Sequence, residues 1–111
     1  MDFDFSSNKL RRQLETTAQQ DKAFGDRAKP IRLRLGVLKH APCLADVPKA
    51  PPDRCHLLTG NWADHYAVVL KDNWRLIFRP DHDPVPKTED GGIDTTKVTA
   101  IVIVAVADYH G

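Results

Sequence analysis

Six side chains in the C-terminal half of the chain are of the types that move protons or hold phosphate: Arg54, His56, Arg75, Arg79, Asp108 and His110. All fall on stretches that read as strands or strand ends. Metal-free cleavage of RNA asks for little more than this set. A base takes the proton of the 2′-hydroxyl, an acid protonates the leaving 5′-oxygen, and a cation steadies the charge on the phosphorane. Imidazole suits both proton roles because its unperturbed pKa is about 6.5. Arginine suits the third because its planar fork matches phosphate oxygens. Tyr109, between Asp108 and His110, offers a ring on which a base could stack. Each of these residues taken singly reads as structural; their common location carries the argument.

Other chemistries have less support. His40, Cys43, Cys55 and His56 are ligand types for zinc. Cys55 and His56 are adjacent, however, and on a strand they point to opposite faces, so no metal site is expected. There is no Gly-x-Ser-x-Gly, no phosphate loop and no dinucleotide fingerprint. No cofactor is expected.

These side chains need a sheet to hold them. Residues 98–107 form a β-branched run without charge, Gly or Pro, the pattern of a strand buried on both faces and interior to its sheet. It delivers Asp108, Tyr109 and His110 to one sheet edge, with Asp108 and His110 on one face and Tyr109 on the other. The plain alternative is a polar terminus ending a hydrophobic strand in water. Residues 66–70 and 74–79 alternate with period two, and Asp72-Asn73 between them reads as a two-residue hairpin turn in which both residues tolerate positive φ. That register sends Trp74, Leu76 and Phe78 to a core and Arg75, Ile77 and Arg79 to the opposite face.

The N-terminal half reads as helical after a short strand at residues 2–5, which places Phe3 and Phe5 on one face. Ser6, Ser7 and Asn8 are cap candidates for a helix over 9–23, with Leu10, Leu14 and Ala18 inward and Phe24 behind them. Gly25 ends that helix, and Asp26 can cap a second over 27–41, with Pro30 in its first turn and Ile31, Leu35 and Leu38 as its apolar row. Pro42, Pro48, Pro51 and Pro52 then stop helical structure. Residues 80–96, rich in Pro and Gly, read as a long surface loop. The order predicts a single α+β domain over residues 1–111, two N-terminal helices packed on a twisted antiparallel sheet.

Length and charge agree with one soluble domain. The chain has 111 residues and a formal net charge of +1. That is no global basic field, but Arg27, Lys29, Arg32, Arg34 and Lys39 form an acid-free basic stripe suited to a polyanion or an acidic protein. The plain reading of that stripe is a solvated helix face. The N-terminus has no secretory pattern, and no apolar run approaches membrane-spanning length. The expectation is a cytoplasmic protein with Cys43 and Cys55 reduced.

Three short segments resemble a known family. Arg54-Cys55-His56-Leu57-Leu58-Thr59-Gly60 is similar to an R-x-H-x-L-x-G segment, Asn73 to Phe78 to an N-W-R-[LI]-x-F strand, and Asp108-Tyr109-His110 to a terminal D-Y-H. All belong to the HigB-like plasmid maintenance killer branch of the RelE/ParE toxin superfamily. The resemblance covers residues 54–79 and 97–111; the helical pair agrees in kind. It implies a toxin of a type II toxin–antitoxin module that enters the ribosomal A site and cuts mRNA there without a metal. It also implies two N-terminal helices on an antiparallel sheet and a small helix-turn-helix antitoxin as partner.

Carried over position by position, the resemblance marks His56, Arg75, Asp108, Tyr109 and His110 as catalytic. Arg54, Arg79, Arg32 and Lys39 are the accompanying candidates for RNA phosphate. Acid and base are not divided between His56 and His110. Thr59 stands where several members carry Lys or Arg, and the 80–96 loop is longer than usual. The alternatives kept open are a non-catalytic toxin that inhibits DNA gyrase and an attenuated toxin that only binds its antitoxin.

Overall fold

The β-branched run becomes the strand on which the sheet is assembled. The computed structural model describes residues 1–108. Its strands are β1 (Asp2–Phe5), β2 (His56–Leu57), β3 (Tyr66–Val69), β4 (Trp74–Pro80) and β5 (Ala100–Asp108). They lie in the order β1-β5-β4-β3-β2, so β5 is interior, as its composition predicts. Three helices, α1 (Asn8–Leu14), α2 (Thr17–Phe24) and α3 (Ala28–His40), complete an α+β fold.

The sheet is mixed rather than wholly antiparallel. β2, β3, β4 and β5 pair antiparallel in succession, but β1 pairs parallel with β5, from Asp2 opposite Ala100 to Phe5 opposite Ile103. A strand apolar on both faces needs both edges covered. The N-terminal strand, whose Phe3 and Phe5 meet edge-to-face at 5.8 Å, covers the second edge. The helical half of the chain lies between β1 and the meander, so the return to the sheet is a crossover.

The predicted first helix is two. Thr16 leaves helical geometry at φ −132° and ψ 153°, and its hydroxyl accepts from the Gln19 N–H at 3.1 Å, capping α2. A threonine side chain that competes for backbone donors favours such a break. The turn exposes Ala18 and buries Gln20 in its place, whose Nε2 donates to the Leu14 carbonyl at 2.7 Å. Ser7 caps α1, and Gly25 ends α2 at φ +57°, a conformation that favours glycine. Asp26 does not cap α3; its carboxylate pairs with Lys71 at 2.6 Å, and that ammonium holds the Asp26 carboxyl below its usual pKa range. The hairpin turn also differs in detail, since only Asp72 takes positive φ and the Trp74 N–H returns to the Lys71 carbonyl.

The core lies between the helices and one face of the sheet. Ile31 and Leu38 of α3 and Leu10 and Leu14 of α1 pack on Val68, Leu76, Phe78, Ile101 and Ile103. Trp74 joins them from the rim, so the predicted β4 alternation holds. The opposite face carries a second, smaller cluster of Leu58, Ala67 and Ile77, edged by Trp62, Ala105 and Ala107. Between Ile77 and Phe78 the register slips past Val104, a bulge that bends β5 there. Among the described residues no helix is long and apolar enough to cross a membrane.

The basic stripe is not a uniform free face. Arg34 is buried, with Nε donating to the Val69 carbonyl at 2.7 Å and lying 3.5 Å from Oδ1 of buried Asp53. Arg32 pairs with Asp21 at 3.0 Å, Arg27 stacks 3.7 Å over Trp74, and Lys39 lies over Phe3. Arg34 therefore joins α3 to the segment that leads into β2. Removing one member of a buried pair leaves an uncompensated charge. Arg34→Leu is expected to lower unfolding free energy by about 3–5 kcal/mol in urea titrations, and adding Asp53→Leu to recover part of that loss.

Candidate functional site

The register of β2, β3 and β4 decides which predicted residues meet. His56 stands opposite Ala67, which stands opposite Ile77; Val69 stands opposite Arg75, which stands opposite Ala107. Directly opposed residues share a sheet face. His56 and Arg75 therefore lie on the face turned away from the helices, beside the small cluster of Ala67, Ile77 and Ala105. The alanines keep that face shallow.

A cavity of about 270 Å³ opens there, lined by Lys49, Arg54, Cys55, His56, Val69 and Arg75. Three of the six are cations and none is a carboxylate. None of the three forms an ion pair with another described side chain. Arg54 reaches the site from an unusual backbone, φ +48°, which turns the chain sharply into β2. A bulky residue in the left-handed region costs roughly 1–2 kcal/mol, and here it places a guanidinium and His56 in one cavity. Lys49 comes from the proline-rich crossing segment and carried no motif in the sequence.

His56 is exposed, and its Nδ1 lies 2.7 Å from the Arg54 carbonyl. A carbonyl only accepts, so Nδ1 is the donor in this contact, and the neutral tautomer that keeps this bond leaves the lone pair on Nε2, the form a general base needs. Arg75 is half-buried. Its Nη1 donates at 3.0 Å to the carbonyls of Asp72 and Trp74, while its Nε is out of solvent and has no hydrogen-bond partner among the described residues. The guanidinium is thus fixed by the hairpin turn, with one donor left without an acceptor among the described residues. A cation anchored this way is pre-oriented for an incoming anion.

The remaining predicted residues are distributed differently. Asp108 ends β5 opposite Trp74, so it shares the sheet end of Arg75 but the face of Trp74. Tyr109 and His110 lie outside the described residues. Arg79 is on the face of Arg75 but lines a separate cavity further along β4. Arg32 and Lys39 belong to the helical layer, with the partners given above, and do not line the His56 cavity.

Among the described residues no group of three His, Cys, Asp or Glu side chains could hold a metal ion. The thiols are separate: Cys43 Sγ contacts Asp46 Oδ2 at 3.2 Å, and Cys55 is buried. Burial pushes the Cys55 thiol up to about 11, with Asp53 adding to the shift and Lys49 opposing it. Burial likewise raises the Tyr66 hydroxyl. No protein-family model matches the chain, and no curated protein matches it.

The thiol has measurable consequences. At pH 8 only about one Cys55 in a thousand is thiolate, the reactive form. An aromatic disulfide reagent should therefore label Cys43 first, with Cys55 reacting only as the protein unfolds. The native state also holds the Cys55 proton more tightly than the unfolded chain, whose thiol titrates near about 8.5. Stability should be unaffected below that pH and fall as pH rises towards 11, a loss that Cys55→Ala suppresses in alkaline denaturation.

Proposed function

We propose that the chain is a toxin of a type II toxin–antitoxin module, a metal-independent, ribosome-dependent mRNA endonuclease of the RelE-like kind. The observation that carries this reading is the cavity, with no carboxylate among its described lining residues, in which His56, with its proton on Nδ1, shares walls with Arg54, Arg75 and Lys49. An imidazole base beside several cations is what 2′-hydroxyl attack on an RNA phosphodiester requires. The three family-like segments and a helical layer on one sheet face, with the other face open, support the same reading.

In the proposed reaction Nε2 of His56 or the imidazole of His110 removes the 2′-hydroxyl proton, and the other protonates the 5′-oxygen as the P–O bond breaks. Arg75 holds the scissile phosphate and, with Arg54, offsets the charge that builds on its oxygens. Asp108 orients an imidazole, and Tyr109 supports a base by stacking. No cofactor takes part. Arg32 and Lys39, on the helical layer, contact ribosomal RNA phosphate, where long-range attraction serves docking. The partner that silences the toxin is a helix-turn-helix antitoxin, and the compartment is the cytoplasm.

The test is controlled expression with transcriptome-wide mapping of RNA 5′ ends. New ends in phase with codons, lost in His110→Ala, are the expected outcome. Growth arrest without new ends would sink the nuclease reading and turn attention to gyrase, assayed by supercoiling. On purified ribosomes His56→Ala should lower the cleavage rate by about 10²–10⁴, and Arg75→Ala by about 10²–10³, with both variants still folded by circular dichroism.

A further inference from the structure

The same sheet face carries a second cationic cavity. It lies at the other end of β4, holds about 170 Å³, and is lined by Arg79, Lys87, His65, His82 and Asp64 together with apolar Val85 and Ile93. Arg79 and Arg75 are four residues apart on one strand and on one face. At about 3.3 Å per residue their Cα atoms are roughly 13 Å apart. Between them lie Ala67 and Ile77 with half-buried Trp62 beside them, low apolar ground over which a chain can pass.

This second cavity is built by the long segment after β4, and that segment is tied down. His82 Nε2 accepts from the N–H groups of Thr99 and Ala100 at 3.1 and 3.3 Å, fixing its start to β5. Lys87 bridges to Ile93, Ile93 packs on the main core, and the Asp94 N–H returns to the Pro86 carbonyl at 2.9 Å. Lys87 is therefore held beside Arg79 on an ordered arm. Neither cation forms an ion pair with another described side chain, and among the described residues the Arg79 guanidinium makes one hydrogen bond, a long one of 3.5 Å to the Pro80 carbonyl. Among the described lining residues two cations, Arg79 and Lys87, stand against the one carboxylate of Asp64.

We infer that this cavity is a second subsite for the same RNA strand, holding a backbone phosphodiester a few nucleotides away from the one beside His56 and Arg75. The inference rests on the proposed nuclease reading and extends it. The volume is below the roughly 300–1,000 Å³ of sites that enclose drug-sized ligands, and fits a phosphate with part of its ribose rather than a whole nucleotide. A stacked strand advances about 3.4 Å per nucleotide, so four nucleotides span the two arginines, and an unstacked strand needs fewer. Arg79 and Lys87 supply the contacts; His82 is a positioning residue for the arm.

The test measures binding of fluorescein-labelled oligouridylates, two to eight nucleotides long, to the purified protein at several salt concentrations, beside cleavage of mRNA on purified ribosomes. Wild type should gain affinity stepwise, by about tenfold or more, once the oligomer reaches four or five nucleotides. Lys87→Gln, an exposed substitution, should remove most of that step and reduce the salt slope by about one. It should leave dinucleotide affinity unchanged. Arg79→Gln should act in the same direction, and His82→Ala should weaken long oligomers alone by freeing the arm. Affinity that rises smoothly with length, or a step that survives in Lys87→Gln, would overturn the subsite. Cleavage persisting with no step overturns the subsite and leaves the nuclease reading standing. A step without ribosomal cleavage overturns the nuclease reading and leaves an RNA-binding face with two subsites.

Discussion

The pairing of β4 with β5 is the interaction on which the rest of the structure depends. β5 is apolar on both faces over its first half, and Ile101 and Ile103 are fully buried. Such a strand is costly to leave with an open edge, so β1 closes one side and β4 the other. Once β4 is fixed in register, Leu76 and Phe78 meet the helices, while Arg75, Ile77 and Arg79 face away. The bulge at Val104 lets this pairing continue over seven residues of β4 while β5 bends. The helices then cover one face only, because the remaining apolar surface of the other face is small and closes on itself around Ile77.

That asymmetry gives the molecule a covered side and an open side. The covered side holds the large side chains, the Tyr66–Phe78 stack at 6.1 Å and the buried Arg34–Asp53 pair. The open side holds small residues on the strands and charged ones at their ends. Arg34 links the two: it reaches from α3 to the Val69 carbonyl and to Asp53, immediately before Arg54. The left-handed turn at Arg54, which brings a cation and an imidazole into one cavity, is thus braced from the helical layer. Strain of this kind persists where the surroundings over-determine the backbone.

The electrostatics of the open face are the reverse of what bulk charge suggests. A net charge of +1 announces no polyanion partner, yet the cations that line the His56 cavity have no described carboxylate partners, while Asp21, Asp26 and Asp53 are paired elsewhere. Location rather than total charge decides what a surface attracts over a Debye length of about 8–10 Å. The cavity walled by Arg79 and Lys87 lies along the same face, and the two arginines of β4 give it a direction.

Much of this was legible in the sequence because it depends on local periodicity. The period-two alternation of β4 assigns Arg75 and Arg79 to one face whatever the fold, and the charge-free run of β5 requires an interior position. Ser7 and Gly25 mark helix ends through chemistry confined to a few residues. Tertiary structure decided the rest, for physical reasons that no local window contains. The parallel pairing of β1 follows from an edge of β5 left open nearly a hundred residues later. The break at Thr16 reflects competition between a hydroxyl and the helix for the same donors, settled by burying Gln20 instead of Ala18. Arg34, indistinguishable in sequence from its basic neighbours, became a buried brace because Asp53 was brought to it across the crossing segment. Lys49 and Lys87 entered the two cavities from segments without periodicity, where composition foretells a loop but not what the loop will face.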